Sequence, residues 1–363
     1  MSKAFLIFTG YNDRAVVAIC RALAQREISF KLIAASDSDA ILRTCWANSV
    51  AWVRKDRQVN MSLFEQVRLA VREDTDLVYC PTTEFINNFV LYNREALKAM
   101  GIHVLLPLAD VYFQMTNKNQ SVCLAKSLFS LSSPRRLEWE QATAPCVFKP
   151  NRNVSEGKIH YPILCFSQNE VVQVKKQLNP DRWFVQEYIL GQSHYLCGYL
   201  SINGEYRSYW QTNLVQQPNG KSIVLARTGD NPGLDEGLFF KKLSQFRYFG
   251  PVMIELIEDT GGHLYFIEIN PRFWGPLQLA VDACPEIFDL YAKDSGFPDF
   301  KRQNFSNKQS TPYWYAWQHG FSRQLGCRFY PAADTYSDIE LQGLFEKHDV
   351  YGYPDTNRLH GYF

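Results

Sequence analysis

Two glutamates and an asparagine on neighbouring predicted strands are the residues whose types and spacing point most directly to chemistry. Two β-rich runs flank Gly261-Gly262, a pair suited to a two-residue hairpin loop with positive φ. If that loop sets the register, Glu255 lies directly opposite Glu268. Because side chains alternate along a strand, Glu255, Glu268 and Asn270 then share one face of the hairpin.

This face predicts a magnesium site. Carboxylates that face each other repel unless a cation compensates them. Two carboxylates and a carboxamide, with no thiol or imidazole, are oxygen donors that suit Mg²⁺, and Mg²⁺ commonly completes its shell with substrate phosphates. Arg272 falls on the same face and suits the charge of a transferring phosphoryl group. The alternatives are an edge-strand glutamate at the surface and a solvated loop arginine.

The elements around this hairpin indicate an α/β protein. Apolar runs at 4–8 and 30–34 flank a helical pattern at 14–25, and this alternation predicts parallel βαβ units. Such sheets bind ligands at the carboxyl ends of their strands. The first turn, at 9–12, has one glycine instead of a GxGxxG pattern, which disfavours a dinucleotide site. After Pro145 the chain becomes β-rich, with hairpins typical of an α+β region.

Composition limits the partners of the protein. The 363 residues include 38 basic and 37 acidic side chains, a net charge of +1, so no broad basic field is available for nucleic acid. No window of about 18 apolar residues predicts a membrane span. The nine cysteines include no paired CxxC site and indicate reduced thiols. We expect a cytoplasmic protein with neither nucleic-acid nor membrane partners.

The segment 266–275, with Glu-Ile-Asn-Pro-Arg at its centre, resembles the signature strand of the ATP-grasp superfamily. The segments 250–255 and 277–290 are similar to its carboxylate–amine ligase branch. The resemblance covers residues 1 to about 300 and implies the ATP-grasp fold, which combines α/β and α+β parts. It implies a pre-ATP-grasp α/β domain at 1–112, an ATP lid subdomain at 113–185 and an antiparallel metal and nucleotide subdomain at 186–300. The aromatic-rich extension at 301–363 falls outside it, and we expect this extension to pack against the core.

The resemblance also implies a set of nucleotide-binding residues. Lys118 and Lys149 match the two ATP-binding lysines, although Lys149 alone could equally be an edge lysine that reaches solvent. The other implied positions belong to the phosphate loop, the adenine-binding hinge and the ribose site: Ser155, Gly157, Lys158, Gln186, Glu187, Tyr188, Ile189 and Ser193. Two positions depart from the family pattern, because the phosphate loop has a single glycine and Ser193 stands where an acid often holds the ribose.

Aromatic residues make up 15% of the chain. Five of them lie on strands or turns of the implied ATP site, where they would pack on adenine or fill a core. These five are Phe148, Phe184, Tyr188, Phe266 and Phe273.

The activity implied by the resemblance is a two-step ligation. A carboxylate attacks the γ-phosphate of ATP to give an acyl phosphate and ADP, and an amine or similar nucleophile then displaces phosphate. Lys149 and Arg272 are the candidate catalytic residues, aided by two Mg²⁺ ions on the hairpin face, which Mn²⁺ could replace. The chemistry needs positioning and charge neutralisation rather than a nucleophilic side chain.

The substrates implied are a small carboxylate and an amine. Arg227, Arg207 and His194 are candidates for binding the carboxylate, with a purely structural role as the alternative for each. A homodimer through the first domain is expected by analogy. Two other functions stay open: a nucleotide-binding regulatory or scaffold protein without turnover, and a ligase that forms AMP.

Overall fold

The structure is a computed structural model that describes residues 2–56, 58–71, 74–155, 158–302, 311–322 and 326–356. For residues 155 and 158 it describes the backbone but not the side chain. Every helix within these ranges is too short or too polar to span a bilayer. All nine cysteines lie within them and are free thiols, as predicted.

The first part of the chain is a parallel five-stranded sheet with the strand order β3-β2-β1-β4-β5. Its elements are β1 (Ser2–Phe8), α1 (Asp13–Gln25), β2 (Phe30–Ala34), β3 (Val50–Val53), α2 (Met61–Ala70), β4 (Thr75–Tyr79), α3 (Glu84–Tyr92), α4 (Arg94–Ala99) and β5 (Ile102–Val104). Residues 4–8 are all buried because apolar clusters cover both faces of the sheet, which explains the continuous apolar run. The predicted open α/β arrangement is confirmed.

The second part is a four-stranded antiparallel sheet, β10-β7-β11-β6, with a two-stranded ribbon, β8-β9. Its elements are α5 (Ala109–Thr116), α6 (Lys118–Phe129), β6 (Arg136–Leu137), β7 (Cys146–Pro150), β8 (Val154–Ser155), β9 (Lys158–Ile159), β10 (Ile163–Cys165), α7 (Gln168–Gln177) and β11 (Trp183–Glu187). Cys146 and Phe148 pack with Val171 of α7, so alternation turns Val147 and Lys149 to the opposite face.

The third part is a seven-stranded antiparallel sheet, in which β16-β15-β12-β13-β14-β17 follow one another and β18 pairs with β13. Its elements are β12 (Gly191–Leu200), β13 (Tyr206–Gln216), β14 (Ile223–Thr228), α8 (Glu236–Gln245), β15 (Gly250–Asp259), β16 (Leu264–Asn270), α9 (Gln278–Ala283), α10 (Glu286–Asp294), β17 (Trp314–Ala316), β18 (Arg328–Phe329) and α11 (Asp338–His348). Short 3-10 helices are Ala40–Arg43, Ala47–Ser49, Pro218–Gly220, Gln318–Gly320 and Pro331–Thr335. Helices α6 and α8 cover one face of the sheet. Much of the other face packs into the core that it shares with α1, α9 and α10, and the cleft described below lies at its remaining part.

The described residues beyond 300 are built into the large sheet. Strand β17 extends it beside β14, and β18 adds a second short pairing on β13. Leu341 and Phe345 of α11 pack on Val224 and Leu225 of β14. The expected packing of this extension against the core is therefore observed, and the extension supplies strands to the sheet.

Candidate active site

An open cleft lies where the three parts meet. It is bordered by the loops after β1 and β4, by strands β7, β10 and β11 of the small sheet, and by β15 and β16 of the large sheet. The predicted lysines, metal ligands and catalytic arginine line it or border it directly: Lys118, Lys149, Glu255, Glu268, Asn270 and Arg272. The cleft therefore brings together residues that the sequence predicted for one site.

The predicted pairing of the hairpin strands is confirmed, but the predicted loop is wrong. Glu255 lies opposite Glu268 and Met253 opposite Asn270. The loop is longer than two residues, because the N–H of Asp259 bonds to the carbonyl of His263. A loop of that length would shift the register by one residue if both strands were regular.

A β-bulge at Ile267 restores the register. Leu256 pairs with Phe266, whereas the next residue back, Glu255, pairs with Glu268, so Ile267 is the extra residue. As a result, Phe266 points into the core while Ile267 and Glu268 both line the cleft. The carbonyl of Ile267 accepts a hydrogen bond from Nζ of Lys149 at 3.2 Å, so the bulge also holds the second lysine.

A chain of polar contacts surrounds Glu268. Its Oε2 accepts from Nζ of Lys118 at 3.0 Å, and its Oε1 accepts from Nδ2 of Asn270 at 2.8 Å. Oδ1 of Asn270 in turn accepts from Nη2 of Arg272 at 3.2 Å. Asn117 caps the N-terminus of α6 and so positions Lys118, the first residue of that helix.

Burial and charge move the pKa values of these groups in different directions. Burial raises the pKa of Glu255 to about 7, and the neighbouring Glu268 adds to the rise. Burial acts the same way on Glu268, but Lys118 and the Asn270 amide outweigh it and lower the pKa of that carboxyl. Burial also lowers the pKa of Lys149 to about 8, with Lys118 adding to the shift. The charge of Glu255 is therefore poorly balanced by its neighbours, and a cation bound near this carboxylate would stabilise its ionised form.

The chemistry of the donors fits Mg²⁺. The described residues contain no group of three or more His, Cys, Asp or Glu able to hold a metal, so a thiol or imidazole site is not formed there. Glu255 has no ion-pair partner among the described residues, and its buried carboxylate faces Glu268 across the strands. A hard divalent cation bound by Glu255, Glu268 and Asn270 would supply the missing counter-charge.

Ser193 does not line the cleft as a ribose-binding group would. It is fully buried, accepts a hydrogen bond from Nδ2 of Asn213 at 2.8 Å and lies 3.5 Å from Oε1 of Glu255. Asn213 is itself bonded to Gln211 at 2.6 Å. These buried groups orient the Glu255 carboxylate. Sequence reasoning missed Gln211 and Asn213, although polar side chains at alternate positions of an apolar strand were a signal.

The predicted hinge residues border the cleft at the small sheet. Gln186, Glu187, Tyr188 and Ile189 all line it. Gln186 is 4% exposed; its Nε2 donates to the carbonyl of Pro134, and its Oε1 has no hydrogen-bond partner. A buried acceptor without a donor is a suitable partner for the amino group of a base. Val147, Ile257 and Ile267 add apolar surface to the lining of the cleft.

Part of the predicted phosphate loop cannot be placed. Gly157 and the side chains of Ser155 and Lys158 lie outside the described residues. Their assignment stays a prediction. The described neighbours Asn153 and Val154 line the cleft.

The three substrate candidates lie outside the cleft. His194 faces Thr212, and Thr212 faces Arg227, in a row on the sheet face opposite to Glu255. His194 lies 3.3 Å from Glu258, and Arg227 donates to the carbonyl of Thr228. The reason for these two is alternation along the strand: Tyr195 pairs with Glu255, so the neighbouring His194 and the residues paired with it in its row point to the other face.

Arg207 lies at the far end of β13. It is exposed and forms an ion pair with Glu205 at 2.9 Å. Its distance from the cleft follows from its place near the start of an 11-residue strand. Arg207 does not line the cleft, so its position does not support the predicted role in substrate binding.

The sequence predictions did not include several charged and aromatic residues of the cleft, among them Glu84, Arg14, Arg328 and Tyr330. Glu84 begins α3 just after β4 and is 8% exposed; burial raises its pKa, against the opposing charge of Arg272. Arg14 donates to Oγ of Ser222 at 2.8 Å and stacks on Trp317. Arg328 and Tyr330 come from the carboxy-terminal extension. Position at a strand end could have indicated Glu84, but the last two depend on long-range pairing.

Of the five aromatic residues predicted to pack on adenine or fill a core, four fill cores. They are at most 4% exposed: Phe148, Phe184, Phe266 and Phe273. Tyr188 alone among the five lines the cleft.

No protein-family model matches this chain, and no curated protein matches its sequence. Solved structures do. The biotin carboxylase domain of the Hydrogenobacter thermophilus 2-oxoglutarate carboxylase superposes with a TM-score of 0.61 at 14% identity, over 83% of this chain and 71% of that one. An N5-carboxyaminoimidazole ribonucleotide synthetase gives 0.60 at 13% identity, over 83% and 78%. The N5-carboxyaminoimidazole synthase of Aspergillus clavatus gives 0.54 at 12% identity, over 78% and 73%.

The chain therefore has the ATP-grasp fold, as its signature strand predicted. Within that class, its architecture is similar to biotin carboxylase and to N5-carboxyaminoimidazole ribonucleotide synthetase.

Proposed function

We propose that this protein is an ATP- and Mg²⁺-dependent ligase that activates a small carboxylate as an acyl phosphate and joins it to an amine or similar nucleophile. The observation that carries the proposal is the pairing of Glu255 with Glu268 inside a cleft that also holds Lys149 and Arg272. In an ATP-grasp fold, this set meets the needs of phosphoryl transfer, which are positioning and charge neutralisation.

Each residue has a distinct part in the proposed reaction. The hinge and Gln186 bind the base, and Lys149 binds phosphate oxygens from its position between the hinge and the carboxylates. Mg²⁺ held by Glu255, Glu268 and Asn270 would supply positive charge to the terminal phosphates. Lys118 holds Glu268 in place, and Arg272 stabilises the charge of the phosphoryl group as it moves to the carboxylate.

The ligands of the structural neighbours support a small-molecule reaction. The 2-oxoglutarate carboxylase domain is bound to MgADP and bicarbonate, and the Aspergillus synthase to ADP and 5-aminoimidazole ribonucleotide. For this chain we propose a small acid and a nitrogen nucleophile in the corresponding roles, with bicarbonate among the acids to be tested. The first of these neighbours is a dimer. A homodimer of this chain stays a proposal, and light scattering tests it.

The function is tested by ADP release from MgATP in the presence of pooled carboxylic acids and amines. The matched control is Glu268→Gln, which keeps the side-chain shape and removes the charge. Stimulation by one acid–amine pool in the wild type, absent in the control, supports the ligase. If no pool stimulates ADP release while ATP still raises the melting temperature, the protein binds nucleotide without turnover. Formation of AMP and pyrophosphate would instead establish an AMP-forming ligase.

A further inference from the structure

Arg328 is held between two aromatic rings at the wall of the cleft. Its guanidinium lies 5.0 Å from the ring centroid of Tyr188 and 4.4 Å from that of Tyr330. The Tyr330 ring is fixed because its hydroxyl donates to Oε1 of Gln216 at 2.5 Å. The Tyr188 ring packs edge-on against Phe166 at 5.1 Å. The two rings therefore restrict the position of the guanidinium before any ligand arrives.

The guanidinium of Arg328 is free to bind an anion. Among the described residues it forms no hydrogen bond and no ion pair, and it is half-buried. Two arginines that are buried elsewhere in the core do have ion-pair partners, since Arg21 and Arg26 each bind a carboxylate at 2.7 Å. A guanidinium presents five donors in a planar fork that matches phosphate oxygens.

The location of Arg328 identifies the anion. Tyr188 belongs to the hinge, and Glu255 belongs to the proposed metal site, and both line the same cleft as Arg328. If the base of a nucleotide lies at the hinge and its terminal phosphates lie at Glu255 and Glu268, then its ribose and α-phosphate lie next to Arg328.

We propose that Arg328, supplied by the carboxy-terminal extension, binds the α-phosphate of the nucleotide. This inference rests on the proposed function, since it assumes the ATP site, and it gives the extension a part in that site.

The test compares the binding of ATP, ADP, AMP and adenosine to full-length wild type and Arg328→Gln, in the presence of Mg²⁺, by calorimetry and by ligand-detected NMR for the weak ligands. The variant is expected to bind all three phosphorylated ligands roughly 10- to 100-fold more weakly and adenosine unchanged. Arg328→Lys, which keeps the charge and loses the planar fork, is expected to show a smaller loss.

The matched control is Arg136→Gln. Arg136 also lies over an aromatic ring, that of Phe184 at 5.1 Å, but it does not line the cleft. Melting temperatures measured for each variant identify any general unfolding. Unchanged AMP affinity, or an equal loss for AMP and adenosine, would overturn the assignment to the α-phosphate. Failure of the wild type to bind any nucleotide would instead overturn the proposed function, and this inference with it.

Discussion

Glu255 and Glu268 lie opposite each other on neighbouring strands. Like charges in such a pair repel and destabilise a sheet unless another group compensates them. Lys118 and Lys149 reduce the repulsion, yet neither forms a direct ion pair with Glu255 in the described structure. The remaining imbalance is what Mg²⁺ would correct. The residue types predicted correctly that Glu255 lies opposite Glu268, because the two strands are close in sequence, whereas metal binding by these residues stays a proposal.

At this scale we expect Glu255→Gln to lower the rate of ADP formation about 100-fold or more, because it removes a charged ligand from the phosphoryl-transfer site. It should also abolish the rise in melting temperature that Mg²⁺ produces in the wild type. Steady-state kinetics and thermal denaturation with and without Mg²⁺ measure both effects. Glu258→Gln, on the same strand but paired with His194, is the control and should retain both properties. Wild-type turnover in Glu255→Gln would exclude Glu255 as an essential ligand.

Strand β16 shows how an element corrects a local irregularity. The hairpin loop is one residue longer than the Gly261-Gly262 pair indicated, and the bulge at Ile267 compensates for it. Neither feature could be predicted alone, since a bulge has no reliable sequence signature and loop length depends on how the strands pair. The bulge matters because it turns consecutive residues to the cleft and frees a carbonyl for Lys149.

The bulge predicts opposite effects for neighbouring substitutions. Phe266→Ala should lower the free energy of unfolding by about 3–5 kcal/mol, because its ring is buried in the core. Ile267→Ala should lower the affinity for ATP roughly 5- to 10-fold with a much smaller effect on stability, because its side chain lines the cleft. Urea unfolding and ATP titration separate the two. Similar phenotypes for both variants would contradict the bulge.

Helix α9 meets the C-terminal segment through the half-buried carboxyl of Asp282. Asp282 accepts from Gln278 at 2.9 Å and from the Tyr353 hydroxyl at 3.3 Å, and burial raises its pKa to about 6. Because this folded-state pKa lies above the ordinary 3.8, ionisation opposes folding between about pH 4 and 6, and the full penalty is present above pH 6.

Asp282→Asn is therefore expected to stabilise the protein by about 1–2 kcal/mol at pH 8 and to have no effect near pH 4. Urea unfolding of both proteins across this pH range measures the difference. A gain of equal size at both pH values would show that the buried charge is not the cause.

The whole molecule is closed by contacts between its first and last parts. Arg21 of α1 is 4% exposed and forms a two-pronged pair with Asp355, with N–O distances of 2.7 and 2.8 Å. It also donates to Gln278 of α9. One buried arginine thus joins the N-terminal sheet, the helices after the signature strand and the C-terminal segment.

Asp355→Ala should lower the free energy of unfolding by about 3–5 kcal/mol, because it leaves a buried guanidinium without its carboxylate. Glu205→Ala breaks the exposed pair with Arg207 and should cost less than about 1 kcal/mol. Denaturant titration compares the two variants. Equal, small losses would mean that the C-terminal contact does not hold the parts together.

Local information was enough for the class of fold and for the strand pairing that places Glu255 opposite Glu268. The apolar runs of the parallel sheet, the glutamate strands and the signature residues 268–272 are short-range patterns, and short-range chemistry dictates them. The face on which His194 and Arg227 lie was decided by pairing across four strands. The same holds for Arg328. It lies at the cleft because β18 pairs with β13, a strand more than a hundred residues earlier in the chain. Such placements depend on which distant segments bury each other's apolar surface, a property that only the folded chain has.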